Sequence, residues 1–169
     1  ELKEGIVPLL KEIMKSNKQI REDFLTNKVK ITKQEKFSLY LLKLIGFDLE
    51  AGLLSTTEHP FTSKISNHDV RVTTHYYENL FVSNIFSTIH EGGHAIFGQN
   101  EPTEVIKNYV GDNMSAAMHE CISRMYENMV GRSQEFVHAI YPKFSKLFKS
   151  EFKDVTELEL YEGINAVHP

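Results

Sequence analysis

Residues 87–100, STIHEGGHAIFGQN, constrain this chain more than any other stretch. Ile89, Ala95, Ile96 and Phe97 fit a buried helix, yet Gly92 and Gly93 stand together in its middle, each costing about 1 kcal/mol against alanine. His90 and His94 are four apart, so on a helix they share a face and can converge on one metal ion. Glu91 completes the H-E-x-x-H pattern, in which two imidazoles hold zinc and the glutamate takes a proton from water as general base. A catalytic zinc needs a third protein ligand and keeps its fourth position for water. The two glycines predict a close approach to this helix by a substrate, a strand or a second helix, or tight packing alone. The sequence leaves these readings open.

The third ligand has a candidate in SAAMHECISRMYENMVG, residues 115–131, where His119 and Glu120 sit side by side in an apolar helix. Ala116, Met118, Ile122, Met125, Met129 and Val130 read as packing residues, so this helix is expected to be largely buried. A buried carboxylate without a partner is expensive, and coordination removes that expense. Glu120 could instead pair with Arg124 one turn on. Cys121, with no second cysteine in the chain, reads as a small buried hydrophobe.

The rest of the chain supplies the scaffold. At 169 residues it is long enough for one domain with a real core, and 41% hydrophobic with 25% charged residues argues against disorder or a coiled coil. Residues 2–17 carry helical spacing at Ile6, Leu9, Leu10 and Ile13, with Asn17 as a stop. A second helix, 32–46, has Thr32 and Glu35 as a capping box, Gly46 as its stop, and Phe37, Leu41, Leu44 and Ile45 as its buried stripe. From about residue 48 the texture turns to strand chemistry. Val70 and Val72 alternate with Arg71 and Thr73, and two runs joined through TSKISNHD predict a hairpin. Helices follow at 79–98 and at 114–130, the latter ended by Gly131. Ser133 caps another, and VTELELYEGINAV forms the last. The fold class expected is mainly α, a zincin-like pair of an H-E-x-x-H helix and a Glu-bearing helix, with one small antiparallel hairpin.

Function classes narrow accordingly. A mildly basic front (Lys15, Lys18, Lys28, Lys30, Lys33) on an acidic body reads as a solvated face and not as a nucleic-acid surface. No apolar run approaches a membrane span, and the single cysteine fits a reducing, cytoplasmic compartment. The abrupt start on ELKEG and end on NAVHP lead to the expectation that residues 1–169 are one domain, a metal-bearing fragment of a longer protein.

Read together, HPFT, DVRVTT, STIHEGGHA, HECISRMYENMVGRS and YEGINAV resemble the carboxypeptidase Taq metallopeptidases in order and approximate spacing. That resemblance implies a mainly helical enzyme with a long groove, commonly a homodimer, releasing single residues from peptide C-termini with zinc or cobalt. It implies His90, His94 and Glu120 as ligands and Glu91 as base. The His-Pro-Phe motif falls on His59, Pro60 and Phe61, and the Asp-x-Arg-x-Thr motif on Asp69, Arg71 and Thr73. His119 enters as the neighbour of the third ligand. There are departures: Cys121 and Ile122 stand where the family has Ser-Gln or Gly-Gln, and His75 where it has arginine. The family chain is also considerably longer. Two further readings stand beside carboxypeptidase: a folded but catalytically incomplete metal-binding module, and a zinc endopeptidase.

Overall fold

The helix expected around the histidines forms α3, Phe81–Gln99, in the computed structural model of the chain, which describes residues 2–16, 19–108 and 115–167. Its buried residues include Phe81, Asn84, Ile85, Phe86, Thr88, Ile89 and Ala95. Burial on several faces follows from its position, because every neighbour packs on it. α2, Ile31–Ile45, lies along one flank; α5, Ala116–Arg124, lies along another; and a three-stranded sheet crosses it. α6, Gln134–Leu147, and α7, Glu157–Ile164, close the far side of the core. α1, Leu2–Lys15, has no buried residue, and the expected stop at Asn17 lies outside the described residues. A short α4 spans Thr103–Lys107.

The main core is aromatic. Phe37, Phe81, Phe144, Phe148 and Phe152 meet at centroid distances such as 5.2 Å for Phe37–Phe148 and 5.0 Å for Phe81–Phe152. Each such ring pair adds about 0.5–1.5 kcal/mol beyond the area it buries. Polar groups fix the orientation of α3 within this core. Asn84 Nδ2 donates to Ser38 Oγ at 2.9 Å, and its Oδ1 accepts from Thr74 Oγ1 at 3.0 Å and Thr88 Oγ1 at 3.3 Å. All four residues are buried, so α2, the sheet and α3 are tied at one point.

Several expectations need correction. α2 starts at Ile31, one residue before the expected cap, with Lys30 extended and no side-chain cap. Gln34 decides that start: its Nε2 donates to Val29 O at 3.0 Å and Tyr77 O at 2.8 Å, anchoring the turn. Gly46 does end the helix, at φ 103° in the left-handed region. Leu44 is exposed, and Leu42 is buried in its place.

The sheet also differs from a plain hairpin. β1, Gly52–Thr56, runs parallel to β3, Asp69–Thr74, while β2, Thr62–Ser66, pairs antiparallel with β3. The order is β1-β3-β2, so the segment read as a connecting turn is itself a strand. Its Thr, Ser and Lys content disguised it, since those residues also mark turns. β3 is therefore central, and β2 is the edge beside α3. No helix among the described residues is long and apolar enough to cross a membrane.

Candidate metal centre

The paired glycines set the geometry of the centre. A Cβ at Gly93 would stand 2.9 Å from Ser123 Cα and 3.3 Å from Tyr126 Cβ, so α5 lies against the bare backbone of α3. A Cβ at Gly92 would stand 2.6 Å from Ile45 Cδ1 and 2.9 Å from Leu42 Cδ2, on the α2 side. One glycine thus admits the second helix and the other serves packing.

This approach brings His90, His94 and Glu120 together, with one ligand atom from each lying within 4.8 Å of the others. His94 Nε2 is 3.5 Å from Glu120 Oε1, and His90 Nε2 is 3.8 Å from Glu120 Oε2. Two imidazoles and a carboxylate are donors that suit zinc, whose tetrahedral nitrogen and oxygen ligands at about 2.0–2.1 Å stand roughly 3.3 Å apart. The two contacts reach different oxygens of Glu120 within a set spread over up to 4.8 Å, so the three side chains must close on a shared ion. Glu120 also lies 3.6 Å from Arg124 Nε, so the ion pair and the histidine contacts coexist. Burial favours the uncharged Glu120, but His90, Ser123, His94 and Arg124 together pull its carboxyl below the ordinary value. Burial is the main influence lowering His94, aided by His90, which favours the neutral imidazole that ligates a metal.

Glu91 is buried and stands apart from the triad. Burial holds its carboxyl above the usual range, and the hydroxyl of Thr62 works against that shift. Thr62 Oγ1 lies 2.8 Å from Glu91 Oε2 and 2.9 Å from Glu91 O, so the edge strand β2 grips the glutamate directly. On the other side, His90 Nδ1 is 2.9 Å from Glu127 Oε2. Neither Thr62 nor Glu127 stands out in the sequence as a site residue, although Glu127 sits seven positions after Glu120, the spacing of two helical turns.

A cleft of about 610 Å³ opens over these groups, walled by Pro60, Phe61, Thr62, Lys64 and His119 among others. The ring of His119 packs 4.8 Å from Phe97 and 5.6 Å from His94. Thr73 is buried and fixes the loop that presents Pro60 and Phe61, because its hydroxyl donates to Phe61 O at 2.9 Å and accepts from Phe61 N at 2.8 Å. His59 is exposed and meets this loop through its carbonyl, which accepts from Thr57 Oγ1. Asp69 and Arg71 bond to each other through two contacts of 2.9 Å at the surface, and the cleft lining does not include them.

The run from α5 through Val130 is less buried than its apolar residues suggest. Met118 is 47% exposed, Met129 73%, and Cys121 is exposed as well. Only the face turned to α3 is covered, so Cys121 is not the core residue its neighbours implied. The α-helix also ends at Arg124 and widens into a π-helical segment at Met125–Val130.

Comparison with known proteins places the chain in a family. The sequence model of the carboxypeptidase Taq (M32) metallopeptidase family matches residues 1–169. Thermostable carboxypeptidase 1 of Thermus thermophilus is 42% identical over 169 residues, which is 100% of this chain and 33% of that protein. Carboxypeptidase 1 of Bacillus subtilis is 38% identical over the same length, 34% of its own chain. The crystal structure of an M32 carboxypeptidase from Deinococcus radiodurans superposes with a TM-score of 0.89 at 33% identity, covering 98% of this chain and 33% of that one. The chain thus spans about a third of the length of the relatives it matches. With a match along its whole length and relatives above 30% identity, this chain belongs to the carboxypeptidase Taq metallopeptidase family.

Proposed function

We propose that this chain carries the zinc centre of a metallocarboxypeptidase that releases C-terminal residues from peptides. The observation that carries the reading is the convergence of His90, His94 and Glu120 with Glu91 beside them but outside the ligand set. Two imidazoles and a carboxylate suit Zn²⁺, and Co²⁺ prefers similar donors. A zinc ion bound there supplies a Lewis acid for the scissile carbonyl and makes a neighbouring water more acidic.

The protein's own residues supply the proton chemistry. Glu91 accepts the proton of the attacking water on its carboxylate and returns it to the leaving amine. Its raised proton affinity suits both halves of that task. Thr62 holds one carboxylate oxygen at 2.8 Å, so the group does not rotate away between the two transfers. β2 presents an open strand edge along the cleft, where an extended peptide can add as a further strand. Phe61 and His119 flank that path, and Thr73 keeps the Phe61 loop in place. Asp69 and Arg71 serve the sheet as a surface ion pair in this reading. The longer protein works as a homodimer in the cytoplasm, without nucleic-acid or membrane partners.

The test is metal binding followed by cleavage. The chain should bind about one zinc, the number one such three-ligand site holds, and Glu120→Ala and His94→Ala should each abolish binding. A full-length protein should cleave an N-blocked dipeptide and spare its C-terminal amide, whereas an endopeptidase would cleave both. Retention of zinc in both variants would sink the assignment. Zinc binding without cleavage would support the metal-binding module instead.

A further inference from the structure

His90 is approached from both ring nitrogens. Its Nε2 faces Glu120 at 3.8 Å, and its Nδ1 lies 2.9 Å from Glu127 Oε2. The two glutamates follow each other on one helical run but occupy different surroundings: the Glu120 side chain is 51% exposed and that of Glu127 is 14%. Glu127 is not a member of the ligand set. Arg124 reaches both, with Nη1 3.1 Å from Glu127 Oε2 and Nε 3.6 Å from Glu120 Oε2.

The local backbone bears on this difference. In a regular α-helix, positions seven apart stand almost in line, about 10 Å along the axis. Here the run widens after Arg124, and Gly131 N donates to Tyr126 O at 2.7 Å, a bond spanning five residues. That wider turn changes the register of Glu127 relative to Glu120. Glu120 remains in the cleft while Glu127 lies behind the ring of His90. Wide turns of this kind often occur at functional sites.

We infer that Glu127 is a positioning residue for the metal centre, set in place by the π-helical segment. It accepts the Nδ1–H of His90, which selects the neutral tautomer whose Nε2 lone pair faces His94 and Glu120. A carboxylate behind a ligating histidine fixes ring orientation and strengthens the ligand. The consequence for zinc rests on the metallopeptidase reading above. The choice of tautomer does not, because it belongs to the metal-free chain.

Two measurements on the same protein separate these points. Long-range ¹H–¹⁵N spectra of the metal-free, histidine-labelled chain at pH 8 should show His90 with the proton on Nδ1. Glu127→Ala should shift it toward the Nε2–H form, and Glu127→Gln, whose amide oxygen still accepts, should preserve it. Competition with a chromophoric chelator should show zinc affinity about 10–100-fold weaker in Glu127→Ala and less affected in Glu127→Gln. Arg124→Met should leave the tautomer unchanged, which a mere ion-pair role for Glu127 would not predict. A parent chain with the proton on Nε2 overturns the inference without needing any variant to fold. A Glu127→Ala chain with unchanged tautomer and affinity also overturns it. Expected tautomers in a chain that binds no zinc support Glu127 and refute the metal reading instead.

Discussion

Replacing Gly93 by alanine probes the contact on which the centre depends. The new Cβ would meet Ser123 Cα at 2.9 Å, and that atom is backbone and cannot rotate aside. Restoring an ordinary carbon–carbon separation requires α5 to withdraw by about half an ångström or more. Such overpacking costs about 1–3 kcal/mol, offset by the roughly 1 kcal/mol that alanine gains over glycine in a helix. The net loss, about 0–2 kcal/mol, lowers the melting temperature by up to about 8 °C, at about 2–4 °C per kcal/mol. Zinc binding responds more strongly. Glu120 rides on α5 and already lies 3.5 and 3.8 Å from its histidine partners, so the retreat moves it further from the roughly 3.3 Å of a closed tetrahedral set. Affinity should fall by about tenfold, the low end of what loss of a supporting contact costs a metal site. Chelator competition measures this, with Gly92→Ala as the comparison. There the new Cβ meets the side-chain ends Ile45 Cδ1 and Leu42 Cδ2, so stability should fall while zinc affinity holds. Parent-like affinity in Gly93→Ala, or an equal loss in Gly92→Ala, would refute the reasoning.

Removing Asn84 by an alanine substitution strips partners from the buried hydroxyls of Ser38, Thr74 and Thr88, and should cost about 1–3 kcal/mol in chemical denaturation. Thr62→Val removes the hydrogen bond that offsets the burial of Glu91, so the Glu91 carboxyl should titrate still higher in a ¹³C-carboxyl NMR titration of the metal-free chain. Both folded carboxyls then lie above the unfolded value, so the variant's extra deficit should be absent while Glu91 is protonated in both folded forms, grow as the pH rises through the parent's raised folded value, and level off above the variant's. Burial raises the Glu151 carboxyl, but Lys33 Nζ at 2.7 Å and the Ser150 hydroxyl outweigh it and leave it below its ordinary value. The sign is therefore opposite: Lys33→Met should lower the melting temperature at neutral pH by the equivalent of about 1 kcal/mol or less. That gap should be full above the unfolded value of about 4.3 and close as the pH falls through the lowered folded value of Glu151, below which the carboxyl is protonated in both states.

Periodicity was enough to locate α3, α6 and α7 in the sequence, because their burial is one-sided or complete and their caps at Ser133 and Thr156 are local hydrogen bonds. The candidate ligand triad was legible for the same reason: four-residue spacing is a property of one helix, and Glu120 stands beside His119 in the middle of the next apolar stretch. The parallel pairing of β1 with β3 was not legible, since strand order depends on contacts that no local pattern encodes. β2 went unseen because both its faces are polar enough to read as turn. The exposure of Met118, Met129 and Cys121 was misread because apolar composition shows what a residue could bury, not what lies opposite it. Thr62 and Glu127 were missed because they act through other side chains, and a hydroxyl or carboxylate in that position carries no spacing rule.

The two glycines give α3 unequal neighbours in a mechanical sense. Toward α5 the tightest contact at Gly93 is with the backbone, at Ser123 Cα, which has no rotamer to change. Toward α2 the contact at Gly92 runs through Leu42 and Ile45, whose terminal methyl groups can shift rotamer. A load on the domain, from temperature, pressure or a docking peptide, is therefore absorbed mainly on the compliant α2 side. The stiff side is the one that spaces two histidines from a glutamate, so the ligand gap is the last distance in this part of the fold to change.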